Sequence, residues 1–292
     1  MSNLKEIRTR IASVKSTKQI TSAMKMVSAA KLKKAQDAVI NLRPYAEKLH
    51  HILFDINQSI EQEDESIYSR KGIKKSVLIV SVTSNKGLCG AFNANVSKQV
   101  ARLINDDLIR KYERENIWIY SIGKKGTEFY QTGKFNIFRY NNEILDKLNF
   151  DNAVPLIEEI MNCYVTMKFD KIVVVYNRFK NAGVQILKTE KYLPIELPKG
   201  DVLDEHMNYI FEPTKENIIH ELIPKSLKIQ LYDVLLESLA AEHGARMTAM
   251  HKATDNATAL IRNLQLHYNK ARQTAITNEI LEIVGGAEAL SK

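Results

Sequence analysis

Apolar residues recur near the end of this chain at alternating steps of three and four. They run through Ile229, Tyr232, Leu236, Leu239, His243, Arg246, Met250, Ala253, Ala257, Leu260, Leu264, His267 and Ala271. Most are apolar, and this spacing is a coiled-coil stripe. Residues 225–290 contain no proline, so the pattern predicts one helix of roughly 90 Å at about 1.5 Å per residue. Such a helix outreaches a small domain and is expected to project from it.

The same spacing opens the chain through Leu4, Ile7, Ile11 and Val14. It turns polar at Lys18, Thr21, Lys25 and Ser28, then resumes in frame at Leu32, Ala35, Val39, Leu42, Ala46, Leu49, Leu53, Ile56 and Ile60. The polar gap reads either as a solvated helix face or as a face that another protein covers. Two seams at opposite ends of one chain predict an antiparallel pair. A register that faces Ile7 with Leu264, Ile11 with Leu260, Val14 with Ala257 and Leu42 with Ile229 pairs every seam position, and a shift by one heptad preserves the same phase. It also sets Lys25 against Arg246 and Ser28 against His243, and two cations so placed are expected to swing outward toward a partner's carboxylates.

In that register about 20 residues of the last helix overhang by about 30 Å. The overhang carries Ala271, Ala275, Ile276, Ile280, Leu281, Ile283 and Val284. A helix apolar on several faces is a buried helix, so a sheath from another chain is expected. Pro44 is expected to kink the first helix, because it removes a hydrogen bond and crowds the preceding turn. The acidic run Glu61, Glu63, Asp64 and Glu65 reads as a solvated linker.

Residues 74–213 change character. Val77 to Val82, Ile117 to Tyr120 and Ile172 to Tyr176 read as buried strands with helical stretches between them. Phe135 to Tyr140 and Val184 to Thr189, the latter after an Asn181-Ala182-Gly183 turn, are further strand candidates, and Pro194 to Asn208 reads as a loop. This alternation predicts a three-layer, Rossmann-like α/β domain with a largely parallel sheet, inserted into the long helical coiled coil. The predicted division is a shaft of residues 1–60 plus 225–292 and an inserted domain of residues 74–213.

Composition narrows the partners. The net charge is +8, and residues 1–48 carry all of that excess. The first helix can therefore meet an acidic protein surface or a phosphate backbone, and charge alone does not choose. No apolar run reaches the roughly 18 residues of a membrane span, and the start has no signal-peptide character. Cys89 and Cys163, the 2 cysteines, form neither a disulfide framework nor a zinc pattern, which suits a reducing compartment. The 7 histidines show no metal-ligand spacing.

One turn invites a chemical reading. Thr83-Ser84-Asn85-Lys86-Gly87-Leu88-Cys89-Gly90 follows the first strand and precedes a helix, a setting that can cradle phosphate. It lacks the Gly-Lys-Ser/Thr ending of a P-loop and the three glycines of a dinucleotide turn. Cys89 there reads better as a buried structural cysteine than as a nucleophile. No cofactor is expected.

Four stretches together carry a resemblance. Residues Ile276 to Ala289 (ITNEILEIVGGAEA), Lys5 to Val14, the loop Gly87 to Asn93, and Leu264 to Gln273 (LQLHYNKARQ) resemble the gamma subunit family of the rotary ATP synthases. The resemblance implies a non-catalytic central shaft inside a ring of alpha and beta subunits, coupling ion flow through a membrane ring to ATP synthesis at beta-subunit sites. It implies beta contacts at Met24, Lys25, Arg246, Arg272, Gln273 and Thr277. It further implies contacts with the epsilon subunit and the membrane c-ring at Tyr209 and Glu212, within a segment where Phe211 stands in place of a common tyrosine. The chain opens directly on the helix and lacks the chloroplast-type cysteine insertion. A bacterial protein, peripheral on the cytoplasmic side of the inner membrane, is expected.

Two other readings compete. A basic coiled-coil protein bound to nucleic acid accounts for the charge of the first helix but leaves the apolar overhang uncovered. A nucleotide-using α/β enzyme lacks an acid, base or phosphate motif and leaves both long helices idle.

Overall fold

The computed structural model describes residues 2–58, 67–70, 76–110, 112–195 and 215–290. Two long helices bracket the chain, α1 over Ser2–Gln58 and α5 over Lys215–Leu290. Between them lie β1 (Val77–Val82), α2 (Phe92–Arg102), β2 (Ile117–Ile122), α3 (Lys124–Thr132), β3 (Ile137–Asn141), α4 (Phe150–Val165), β4 (Lys171–Asn181) and β5 (Val184–Leu193). Residues Met1–Ser28 with Arg246–Lys292 form one compact unit, and Ala29–Ala245 form another. Each long helix contributes to both.

The sheet order is β3-β2-β1-β4-β5. β1 pairs in parallel with β2 and β4, and β2 pairs in parallel with β3. β5 closes the edge antiparallel to β4. That reversal is tight because Asn181 Oδ1 accepts from the Gly183 and Val184 amides at 3.0 and 2.8 Å, a side-chain turn typical of asparagine. The strands expected at residues 135–140 and 184–189 are therefore present as β3 and β5.

β1 is buried at all of its positions, and it feeds two cores. Leu78, Val80 and Val82 pack with Ile157, Ile160 and Tyr164 of α4 and with Leu227, Leu231 and Leu235 of α5. On the opposite face Val77 and Ile79 pack with Val96 and Val100 of α2 and with Tyr130 of α3. Alternation along one strand thus supplies both faces of a three-layer sandwich. Each such aliphatic side chain contributes about 1.5–3 kcal/mol by leaving water.

One helix expectation needs correction. α5 begins at Lys215 and carries Pro224 inside it, so it is longer than the proline-free stretch suggested. α1 runs unbroken through Pro44. The carbonyl that Pro44 deprives of a donor belongs to Ile40, which is 62% exposed, so water can satisfy it. The acidic run at residues 61–65 and most of the expected loop at 194–208 lie outside the described residues.

Candidate functional site

The seam of α1 is as the spacing predicts, and it continues through the polar gap. Ile7, Ile11, Val14, Lys18, Thr21 and Lys25 are half-buried, and Ser28 is 3% exposed. Ser28 stands that burial because its hydroxyl donates to the Met24 carbonyl at 2.7 Å.

On α5 the seam slips. Met250, Ala257, Leu264 and Ala271 face inward as expected, but Ile261 and Tyr268 occupy the places expected for Leu260 and His267, which are exposed. The cause is helical geometry. A strict seven-residue repeat drifts by about 20° per heptad on a straight α-helix, so the buried stripe moves onto later residues.

The register shifts with it. Thr21 Oγ1 lies 2.9 Å from Thr254 Oγ1, whereas the expected partner was Met250, one turn away. Continued along both seams, this register faces Ile7 with Tyr268, Ile11 with Leu264 and Val14 with Ile261. Lys25 does not stand against Arg246: its ammonium meets His251 Nδ1 at 3.4 Å. Asp255 Oδ2 lies 3.6 Å from that same ring nitrogen. Arg246 is 7% exposed and so does not swing outward. His251, which carried no motif in the sequence, is the residue that holds Lys25.

The far end of α5 matches expectation. Ile276, Ile280, Leu281, Ile283 and Val284 are between 47% and 71% exposed, an apolar tip with nothing of the described chain over it. Arg272, Gln273 and Thr277 are exposed on the same stretch. The Thr277 hydroxyl donates to the Gln273 backbone carbonyl at 2.9 Å. Of the residues implied by resemblance, Met24 and Lys25 are half-buried and Arg246 is buried. Tyr209 and Glu212 lie outside the described residues.

In the glycine-containing turn after β1, the Ser84 amide donates to Asn93 Oδ1 at 2.9 Å and the Phe92 amide to the Cys89 carbonyl at 3.3 Å. At the neighbouring N-terminus of α3 the chain itself takes the free donors. The Lys124 amide donates to Asn85 Oδ1 at 3.1 Å, the Lys125 amide to the Ser84 carbonyl at 3.1 Å, and the Gly126 amide to Thr83 Oγ1 at 3.0 Å. These donors at the start of α3 are therefore not open to an anion. Cys89 is 2% exposed and packs with Phe92, Ala241 and Ala245, while Asn93 Nδ2 donates to its sulfur at 3.3 Å. Among the described residues no three His, Cys, Asp or Glu side chains could hold a metal ion. No helix among them is long and apolar enough to cross a membrane.

A family model described as ATP synthase matches residues 3–290. The ATP synthase gamma chain of Christiangramia forsetii is 54% identical over 291 residues, covering 100% of both chains. That of Flavobacterium johnsoniae is 52% identical over the same length of 291 residues, again 100% of both. Among solved structures, a chain of the Tetrahymena thermophila mitochondrial ATP synthase central stalk and c-ring aligns with a TM-score of 0.58 at 26% identity. That alignment covers 80% of this chain and 99% of the other. A chain of the Euglena gracilis mitochondrial ATP synthase aligns with a TM-score of 0.68 at 22% identity over 99% and 95% of the two chains, a likeness of fold. With paired terminal helices, an inserted mixed sheet and end-to-end identity above half, this chain belongs to the ATP synthase gamma chain family.

Proposed function

We propose that the chain is the central rotor shaft of a bacterial proton-translocating ATP synthase, without catalysis of its own. Residues 1–60 and 225–292 form the shaft, and residues 74–213 form its foot. The observation that carries this reading is the apolar tip of α5, which is exposed in the isolated chain and costly to leave in water. A sleeve of alpha and beta subunits would bury it, and an apolar sleeve has no directional bonds to lock one angle.

In this reading the shaft biases each beta subunit in turn by contacts that differ among its conformations, which is how one chain drives sites it does not contain. Met24 and Lys25 contact an acidic beta loop, and Arg272, Gln273 and Thr277 grip the ring higher up; Arg246, 7% exposed, joins the first contact only where binding of that loop draws it out of the helix pair. Lys25 suits the first role because it is tied only to His251 and is free to exchange that contact for a carboxylate. The foot meets the epsilon subunit and the c-ring, with Tyr209 and Glu212 at that contact. The assembly places the chain peripherally on the cytoplasmic side of the inner membrane.

The test is native purification through a tag near Lys199, weighing the copurifying subunits and assaying ATP hydrolysis. Recovery of one copy per three alpha-beta pairs in an active assembly is expected. Recovery alone, or with nucleic acid, would overturn the reading.

A further inference from the structure

Within the unit of residues 29–245, a cleft of about 340 Å³ opens between α1, β4 and α5, lined by Arg43, Glu47, His51, Arg178, Asp233 and Glu237. Its rim and floor differ. Arg43, Glu47 and His51 are exposed, and the Arg178 side chain is 48% exposed, so these are solvated rim groups. Glu237 is 5% exposed, and Asp233, one turn earlier on the same face of α5, is half-buried. The floor is therefore acidic.

That floor has an unmet acceptor. Arg178 Nε donates to Glu237 Oε1 at 3.3 Å. It also lies 3.2 Å from Oε2, yet Oε2 is buried and accepts no hydrogen bond. Asp233 makes no hydrogen bond or ion pair among the described residues. Burial holds both carboxyls above their ordinary range. The charge of Asp233 raises Glu237 further, and Arg178 and Arg43 oppose the shift in each. A carboxylate pair left this way in a protein interior calls for a cationic donor.

We propose that this cleft seats the ammonium group of a lysine from a partner subunit, against Glu237 Oε2 and Asp233. The proposal rests on the reading that the chain works inside an assembly. A lysine fits better than an arginine because Arg178 Nε already lies 3.3 Å from Oε1 and 3.2 Å from Oε2, so the paired edge that a guanidinium fork recognises is taken, while a point charge can still approach Oε2 from another side. An ammonium is a point charge with three donors, enough for Oε2, Asp233 and Glu47 together. Neighbouring lysines of α5 are engaged elsewhere: Lys225 lies over the Tyr45 ring at 6.0 Å, and Lys228 binds Glu158 at 2.5 Å.

The test treats the purified assembly with a water-soluble carbodiimide, which condenses a carboxylate and a neighbouring amine into an amide and takes up the released water as a urea. Peptides containing residues 233 and 237 are then read by mass spectrometry. An amide from Asp233 or Glu237 to a lysine of another subunit is expected, and Asp233→Asn combined with Glu237→Gln should abolish it while other cross-links of the chain persist. A second readout covers a lysine seated too deeply for the reagent. With glycine ethyl ester added, both carboxyls should label in the isolated chain and be protected in the assembly. Equal labelling without an intersubunit amide, or an amide only to a lysine of this same chain, would overturn the proposal. An assembly that is complete and active in that case leaves the rotor reading intact, whereas failure to assemble strikes the rotor reading itself.

Discussion

Thr21 Oγ1 and Thr254 Oγ1 stand 2.9 Å apart, and this one contact between α1 and α5 sets how the two seams mesh. Each hydroxyl also reaches a carbonyl of its own helix, Lys18 at 3.1 Å for Thr21 and Met250 at 2.8 Å for Thr254, so one hydroxyl can donate across the seam to an oxygen whose own proton goes to its backbone. Replacing both by cysteine should therefore give a disulfide under mild oxidation, read as a mobility shift on a non-reducing gel. The pair Ile11→Cys with Leu260→Cys should not form one, because Leu260 is 41% exposed and off the seam. A disulfide from the second pair and none from the first would reinstate the register one turn away.

Seam and strand positions were legible because burial leaves a period: β1 reads as an unbroken apolar run, and α1 keeps its three-four spacing from Leu4 to Leu49. The register was not legible, since antiparallel seams offset by one turn pair nearly as well in apolar content. What decides between them is a polar contact, Thr21 with Thr254, and polar pairs leave no period. His251 was overlooked for the same reason, having neither a metal partner nor an apolar rhythm. The sites that resemblance placed at Arg272, Gln273 and Thr277 are exposed, which leaves them available to a partner but makes no intramolecular pattern.

Arg272 makes no ion pair or hydrogen bond within the described chain and is exposed, so its removal should cost the fold less than about 0.5 kcal/mol. Any larger effect must come from a partner. Arg272→Ala is expected to lower ATP-driven proton pumping roughly five-fold or more, the loss that follows when about 1 kcal/mol of contact disappears. Lys98→Ala, on an exposed position of α2, should leave pumping near the parent level. Equal pumping and equal ATP hydrolysis in the two variants would remove Arg272 from the proposed grip.

Gly123 links β2 to α3 with φ of +100°, and a Cβ built on it would sit 2.2 Å from the Thr83 carbonyl oxygen. Backbone cannot give way as a flexible side chain can, so Gly123→Ala should destabilise the chain by at least about 2 kcal/mol. Gly87 has nothing within 4 Å of the same construction, and Gly87→Ala should stay within about 0.5 kcal/mol of the parent. Urea unfolding followed by circular dichroism separates the two. Similar midpoints would mean that the β1 and β2 ends can spread apart freely.

Asp233 brings a pH dependence whose sign follows from its surroundings. Burial raises its folded-state pKa above the ordinary 3.8, and Arg178 and Arg43 oppose without cancelling the effect. The folded chain therefore holds that proton more tightly than the unfolded chain. Its contribution to stability is complete below about pH 3.8 and is lost as pH rises through the higher folded value. Asp233→Asn removes this titration. In the purified chain the variant should gain on the parent in urea midpoint as pH climbs from about 4, and the gain should level off once the parent carboxyl is fully ionised. A variant less stable than the parent at pH 8 would show that attraction to the two arginines outweighs burial. In the assembly, a lysine seated in the cleft reverses the comparison, because the ionised aspartate then has a partner that asparagine would lose. Measuring the substitution in both settings thus separates the intrinsic cost of the buried carboxyl from the contact it is built to make.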